Sequence, residues 1–340
     1  MLRRFSIGFI SEPGLDAGGV AREWFSLVAS ELTRPGYGLL LPTPADQSRV
    51  ELNASSHLAN ADDERYLRAA GRFLGKALLD GQTVPALRLA PHLYRHLLTH
   101  PCSLANVAGV DPALHASLAS LLGMDDATLE SLGLDFTVCE EVFGTVQSVE
   151  LLPGGADVGL RACNVSSYVR LMVEHRLATR AARQLAALLA GFRETMPAAV
   201  LCALSPAELE EALCGREEVD VEDWARHTEY TGDFEAEGAA HLVVVWWWDM
   251  VRGMEHGERR RLLQFATGTP GVPAQGFAAL RDSEGTVRRF TLHGSCGVAV
   301  FPRAHTCFNR VDVPLYESAE EMRRGVGMAL ELGGTGFDLQ

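Results

Sequence analysis

The chain has 340 residues, 47% of them hydrophobic, and 30 Lys and Arg face 44 Asp and Glu for a formal charge of −14. That hydrophobic fraction excludes a disordered segment and allows two or more packed units. The acidic balance excludes a nucleic-acid surface, since affinity for phosphates comes from clustered Lys and Arg, and leaves protein or small-molecule partners.

The opening MLRRFSIGFISEPGLDAGG starts basic but reaches Glu12, Pro13 and Asp16 without a long apolar run, so no signal peptide is expected there. From Gly18 to Leu32, Val20, Trp24, Phe25, Val28 and Leu32 recur at helical spacing, and Pro35-Gly36 stops the pattern. ERYLRAAGRFLGKALLDG repeats it with Leu67, Ala70, Phe73, Leu74, Ala77 and Leu78, and LRLAPHLYRHLLTHP predicts a shorter helix broken near Pro91. The first hundred residues thus read as mainly α. Between Asp111 and Pro153, two short helical patterns run into FTVCEEVFGTVQSVELLPGG, whose β-branched and aromatic residues between glycines predict a small α+β insert.

One long helix is expected over 166–194. In SPAELEEALCG, Ser205 is the cap, Pro206 the first turn, Glu208 the closing member of a capping box and Gly215 the stop. LVVVWWWDMVRGM and GERRRLLQFATG continue the helices; the first is too short to cross a bilayer. Its three tryptophans step about 100° each around a helix, so they predict packing without a chemical role. After Ala279 the polar LRDSEGTVRRF gives way to short extended runs, which places a hinge there. SAEEMRRGVGMALELGG closes the chain as a helix with a Ser318–Glu321 capping box and Gly333-Gly334 as its end.

Seven cysteines without a CxxC pair do not suggest a disulfide framework, and reduced thiols in cytoplasm or nucleus are expected. Six read as packing; Cys102, Cys139, Cys163, Cys202 and Cys214 sit in or beside apolar patterns. Cys307 differs. In FPRAHTCFNRVDVPLYES, residues 301–318, His305 and Cys307 share one face if the segment is extended, so an imidazole could influence the thiol. Pro314 ends the strand and puts the thiol near a loop that a large partner can approach. The competing reading is a zinc site of His293, Cys296, His305 and Cys307, whose irregular spacing matches no common pattern. No metal or other cofactor is expected.

FPRAHTCFNRVDVPLYES resembles, almost residue for residue, the signature of the HECT-type ubiquitin ligases. EPGLDAGGVAREWFSLV, GRFLGKALLDGQ, LSPAELEEALCG, VDVEDWARHTEY and LLQFATGTPGVPAQGFAAL resemble that family's other motifs in order, together covering nearly the whole chain. The resemblance implies an α+β, bilobal fold: a large, mainly helical N-lobe over 1–280 with a small α/β insert at about 111–160, a hinge at 281–286, and a small α/β C-lobe over 287–340. It implies that Cys307 accepts ubiquitin from a conjugating enzyme as a glycyl thioester and passes it to a substrate lysine, with His305 and Thr306 positioning the thioester.

By the same resemblance, Leu114, Leu118, Met124 and Leu132 take the apolar positions that dock the conjugating enzyme, although leucines at this spacing are also usual core residues. Arg226, His227, Thr228, Thr267 and Thr269 resemble motifs of the large lobe that meet the small lobe; helix capping and turn bonding are their alternative. Phe337 matches a phenylalanine needed near the C-terminus, where it would anchor the tail and bring Asp338 or the carboxylate of Gln340 toward the thioester. The partners implied are ubiquitin, a conjugating enzyme and a protein substrate, with no nucleic acid and no membrane insertion. A cysteine protease, which also needs an orienting Asn or Asp and an oxyanion hole, and a catalytically silent adaptor are the rival classes.

Overall fold

The structure is a computed structural model and describes residues 19–142, 144–216, 218–273, 275–282, 286–296 and 300–333. Its longer elements in chain order are α1 (Gly19–Leu32), β1 (Leu40–Pro42), β2 (Val50–Leu52), α2 (Asp63–Asp80), α3 (Pro91–Leu97), α4 (Pro112–Leu121), α5 (Asp126–Ser131), β3 (Thr137–Val142), β4 (Thr145–Glu150), α6 (Val165–Leu177) and α7 (Ala182–Thr195). There follow α8 (Pro206–Cys214), α9 (Val221–Arg226), β5 (Thr228–Gly232), α10 (Leu242–Gly253), α11 (His256–Thr267), β6 (Phe290–Ser295), β7 (Arg303–His305), β8 (Arg310–Pro314) and α12 (Ala319–Gly333). The chain divides into two compact units: a helical unit of Ser30–Lys76 and Leu87–Glu210, and a cysteine-bearing unit of Met1–Ala29, Ala77–Ala86 and Glu211–Gln340.

In the helical unit, α2 and α7 cross with their backbones almost touching. A Cβ built on Gly191 would lie 1.9 Å from the carbonyl oxygen of Arg68, and one on Gly71 would lie 2.1 Å from that of Leu188. Only glycine permits this approach. Beside the crossing, Asp63 is buried and accepts a 2.6 Å hydrogen bond from Ser56, while the Gln184 amide donates to Ala54, Ser56 and Asp63. The predicted single helix over 166–194 is two helices. The chain breaks at Ala178 (φ −142°, ψ −62°), a backbone outside helical space, before a short 3-10 turn leads into α7. Pro91 starts α3 instead of breaking it, its missing N–H lost at a position that needs no intrahelical bond.

His92 in α3 is 4% exposed and its Nδ1 has no partner among the described residues. Burial first, with His96 and Arg176 adding, pushes the imidazole down to about 3 from its ordinary 6.5. The unfolded chain therefore binds a proton that the folded chain refuses, so stability is complete above pH 6.5 and falls as pH drops from there toward 3. The loss should approach about 1.4 kcal/mol per pH unit. His92→Leu is expected to flatten this acid limb in urea melts between pH 6.5 and 4; an unchanged slope would exclude His92 as its source.

The cysteine-bearing unit holds a four-stranded sheet in the order β5-β6-β8-β7, parallel except for β7 against β8. Phe290 and Leu292 of β6 and Val311 and Val313 of β8 alternate inward into one core with Trp224, Trp247, Phe277, Met322 and Val326. Trp224 stacks on Phe277 at 4.9 Å and meets Trp248 and Phe290 edge-on, an arrangement aromatic quadrupoles favour. The three tryptophans of α10 pack as expected: Trp247 and Trp248 are buried and Trp246 lies against the same core.

This core does not stop where the sequence places the lobe boundary. Residues 228–232 form the sheet edge beside β6, and the core runs back to Val219. Of the expected hinge, residues 283–285 lie outside the described residues, and its flanks are tied together. Arg281 bridges Val287 in antiparallel fashion, the Asp282 amide donates to Thr286 O at 2.8 Å, and the Thr286 amide to Asp282 Oδ1 at 2.9 Å. Residues 281, 282, 286 and 287 thus pair with one another inside one packing unit.

Candidate active site

The strand before Cys307 is short. β7 ends at His305, Thr306–Phe308 make one 3-10 turn, and β8 begins at Arg310, so the thiol sits on the turn and not on the extended strand expected for it. Asn309 closes this turn in the left-handed region (φ 49°), which Asn tolerates better than most residues. Its side chain is fully buried and donates to the carbonyls of Arg281 at 2.8 Å and Arg288 at 2.9 Å, while the backbone carbonyl of Asn309 accepts from the Thr291 N–H at 2.9 Å. Arg288 lies over the Phe308 ring at 5.0 Å. The turn is thereby fixed from behind, with Cys307 partly exposed and Phe308 exposed.

His305 is engaged elsewhere. Its Nε2 pairs with Asp312 Oδ2 at 3.0 Å, and Arg310 donates to the other oxygen of Asp312 at 2.6 Å. Partial burial pushes the Asp312 carboxyl up, but hydrogen bonds from Arg310 and His305 outweigh it and hold the group below the ordinary carboxylate range. The shared strand face expected for His305 and Cys307 is lost because the chain turns between them. Of the zinc candidates, His293 Nδ1 meets Thr231 Oγ1 at 3.0 Å, and among the described residues no three His, Cys, Asp or Glu side chains converge. The packing role expected for the other cysteines holds for buried Cys214, whereas Cys139, Cys163, Cys202 and Cys296 are exposed. An apolar neighbourhood in sequence does not bury a residue on an outward-facing strand or loop.

Helix α11 ends beside the turn. Gly268 caps it with φ 76°, and a Cβ there would stand 3.6 Å from Thr306 Cβ and 3.4 Å from Arg22 Cδ. Arg22 of α1 donates to the carbonyl of Thr267 and, at 2.8 Å, to that of Arg281. Sequence reasoning missed both Arg22 and Asn309. Of the expected contact residues, Thr267 and Thr269 do lie at this helix end. Thr267 Oγ1 donates to Leu263 O at 2.8 Å, and Thr269 Oγ1 meets Thr83 Oγ1 at 2.9 Å. Arg226, His227 and Thr228 lie at the end of α9 with local bonds: His227 Nδ1 to Asp223 Oδ1 at 2.9 Å, and Thr228 Oγ1 to Trp224 O at 2.7 Å.

A turn-borne, partly exposed thiol with this scaffold occurs in a chain that matches the HECT-domain (ubiquitin-transferase) family model over residues 26–340. The chain belongs to the HECT family. It is 38% identical over 335 residues to the E3 ubiquitin-protein ligase NEDD4 of Homo sapiens, an alignment covering 98% of this chain and 25% of the human protein. It is 35% identical over 335 residues to the E3 ubiquitin-protein ligase ptr1 of Schizosaccharomyces pombe (98% of this chain, 10% of ptr1), and 39% identical over 315 residues to HECW1 of Mus musculus (92% and 19%). The chain thus spans a quarter or less of these three relatives.

In this HECT chain the insert folds as α4, α5 and the β3–β4 hairpin. Leu118 is 2% exposed and so belongs to the core of the helical unit, not to a docking face. Leu132 is 45% exposed, Leu114 and Met124 are half-buried, and Leu122 and Leu134 are further exposed leucines of the same insert. Phe337, Asp338 and Gln340 lie outside the described residues.

Proposed function

We propose that this HECT domain is the catalytic part of a ubiquitin ligase, carrying ubiquitin on Cys307. In loading, the Cys307 thiol gives up its proton, its thiolate attacks the thioester carbonyl on the conjugating enzyme, and that enzyme's thiolate leaves. In discharge, a substrate lysine attacks the new thioester, the C–S bond to Cys307 breaks, and the nitrogen sheds a proton to form an amide. Covalent catalysis divides one transfer into two. The first step exchanges like for like, so the protein's contribution is placement more than driving force.

The single observation that carries this reading is the placement of Cys307 on a partly exposed turn clamped by Asn309, in a chain matching the HECT model over residues 26–340. The test is incubation with ubiquitin, activating enzyme, conjugating enzyme and ATP, followed by electrophoresis without reductant. A ubiquitin adduct that thiol reagents remove, mapped by mass spectrometry to the peptide holding residue 307, is expected. No adduct, or one on another side chain, would overturn it.

The conjugating enzyme is proposed to dock on the exposed leucines of the insert. Leu132→Asp should slow loading about tenfold or more with an unchanged melt, as loss of an apolar anchor does. Leu118→Asp should instead lower stability by several kcal/mol, because it buries an unpaired carboxylate. Normal loading by a folded Leu132→Asp variant would exclude the surface. The C-terminal residues Phe337 to Gln340 are proposed to serve discharge: a lysine with a pKa of about 10.4 needs a proton acceptor at neutral pH. The site of action is proposed to be the cytoplasm; among the described residues no helix is long and apolar enough to cross a membrane.

A further inference from the structure

Arg22 comes from the opposite end of the sequence to the cysteine turn, and its guanidinium reaches the carbonyls of Thr267 and Arg281. The second acceptor is the one Asn309 uses to close the turn, so Arg22 and the turn's anchor share one oxygen. The space is tight: the Arg22 stem and Thr306 flank Gly268, where no side chain intervenes. Burial draws the guanidinium pKa below the ordinary arginine value, and Cys307 and Asp282 oppose that electrostatically, so the sulfur lies within the field of this cation.

Among the described residues, Arg288 with Asp282, and His305 and Arg310 with Asp312, form ion pairs near the turn. Arg288 pairs with Asp282 at 3.5 Å and covers Phe308, while His305 and Arg310 both engage Asp312.

We propose that Arg22 is a positioning residue for ubiquitin transfer, tying the end of α11 and residue 281 together behind the Thr306–Cys307 turn. This rests on Cys307 being the ubiquitin carrier. The guanidinium suits the place because its planar fork reaches two carbonyls at once, which a lysine ammonium on a flexible stem does less well.

Hydrogen exchange read by mass spectrometry on the peptide holding Cys307 reports the turn without any ubiquitin. Arg22→Gln should speed exchange at residues 306–309 about tenfold and slow ubiquitin loading by a similar factor. A folded Arg22→Gln protein with wild-type exchange at the turn would overturn the proposal. Arg22→Lys should also slow ubiquitin loading roughly tenfold because the two-carbonyl tie is lost. Wild-type loading by Arg22→Lys would overturn the positioning role even if Arg22→Gln fails to fold. A wild-type chain that never forms the thioester would defeat the transfer reading and leave the exchange comparison standing.

Discussion

Cys307→Ala should abolish the thiol-labile ubiquitin adduct completely while leaving the thermal melt within about 1 kcal/mol of wild type. The side chain is partly exposed, and its turn owes its shape to other groups: the buried Asn309 amide, the Asn309 N–H on Thr306 O at 3.4 Å, and the Thr291 N–H on Asn309 O. Removing one sulfur therefore disturbs little of the fold and takes away the proposed ubiquitin carrier. The comparison is demanding because four other thiols are also exposed. Cys296 would be a poor substitute: a hydrogen bond with Asp233 raises its thiol pKa and so disfavours the thiolate. Cys307→Ser supplies the complementary result, an oxygen-linked adduct that persists in reductant. A residual reductant-sensitive adduct in Cys307→Ala would show that one of the exposed cysteines carries ubiquitin.

Gly191→Ala should be the most damaging single methyl group in the helical unit. The new Cβ would stand 1.9 Å from Arg68 O and 2.7 Å from Arg68 C, both backbone atoms in the middle of α2. A flexible side chain could swing away; a helical carbonyl cannot. The helices must separate, and Gly71 facing Leu188 O and Gly75 facing Thr195 leave no neighbouring slack. Overpacking of this kind costs about 3 kcal/mol or more, against a gain of roughly 1 kcal/mol from replacing glycine inside a helix. Chemical denaturation followed by circular dichroism is expected to show the loss; a variant as stable as wild type would mean that the two helices do not cross at these glycines.

What could be seen in the sequence was local. Ser205 and Glu208 exchange the predicted capping bonds, Ser205 N to Glu208 Oε2 at 2.8 Å and Glu208 N to Ser205 Oγ at 3.2 Å, because a cap is decided within one turn of helix. At Ser318 the same box is partial: Glu321 N donates to Ser318 Oγ, while the Glu321 carboxylate takes Glu317 N. Cys307 could be singled out because its motif is contiguous. Arg22 was not, since its acceptors at 267 and 281 are brought to it only by folding. Nor was β5, whose strand character comes from pairing with residues 290–294. The break at Ala178 has neither glycine nor proline to announce it. Leu118 failed for a different reason. Leucine spacing marks an apolar helix face without saying whether protein or partner covers it, and burial resolves that toward the core.

The parallel pairing of β5 with β6 bears on how this domain can be dissected. A recombinant fragment begun at residue 287 would present the backbone of Phe290–Ser295 as an open template for intermolecular strand addition and would strip Phe290 of its Trp224 and Phe277 neighbours. Such a truncation invites insolubility for reasons unrelated to ubiquitin, whereas one cut ahead of Val219 keeps both the strand and the aromatic cluster with Cys307.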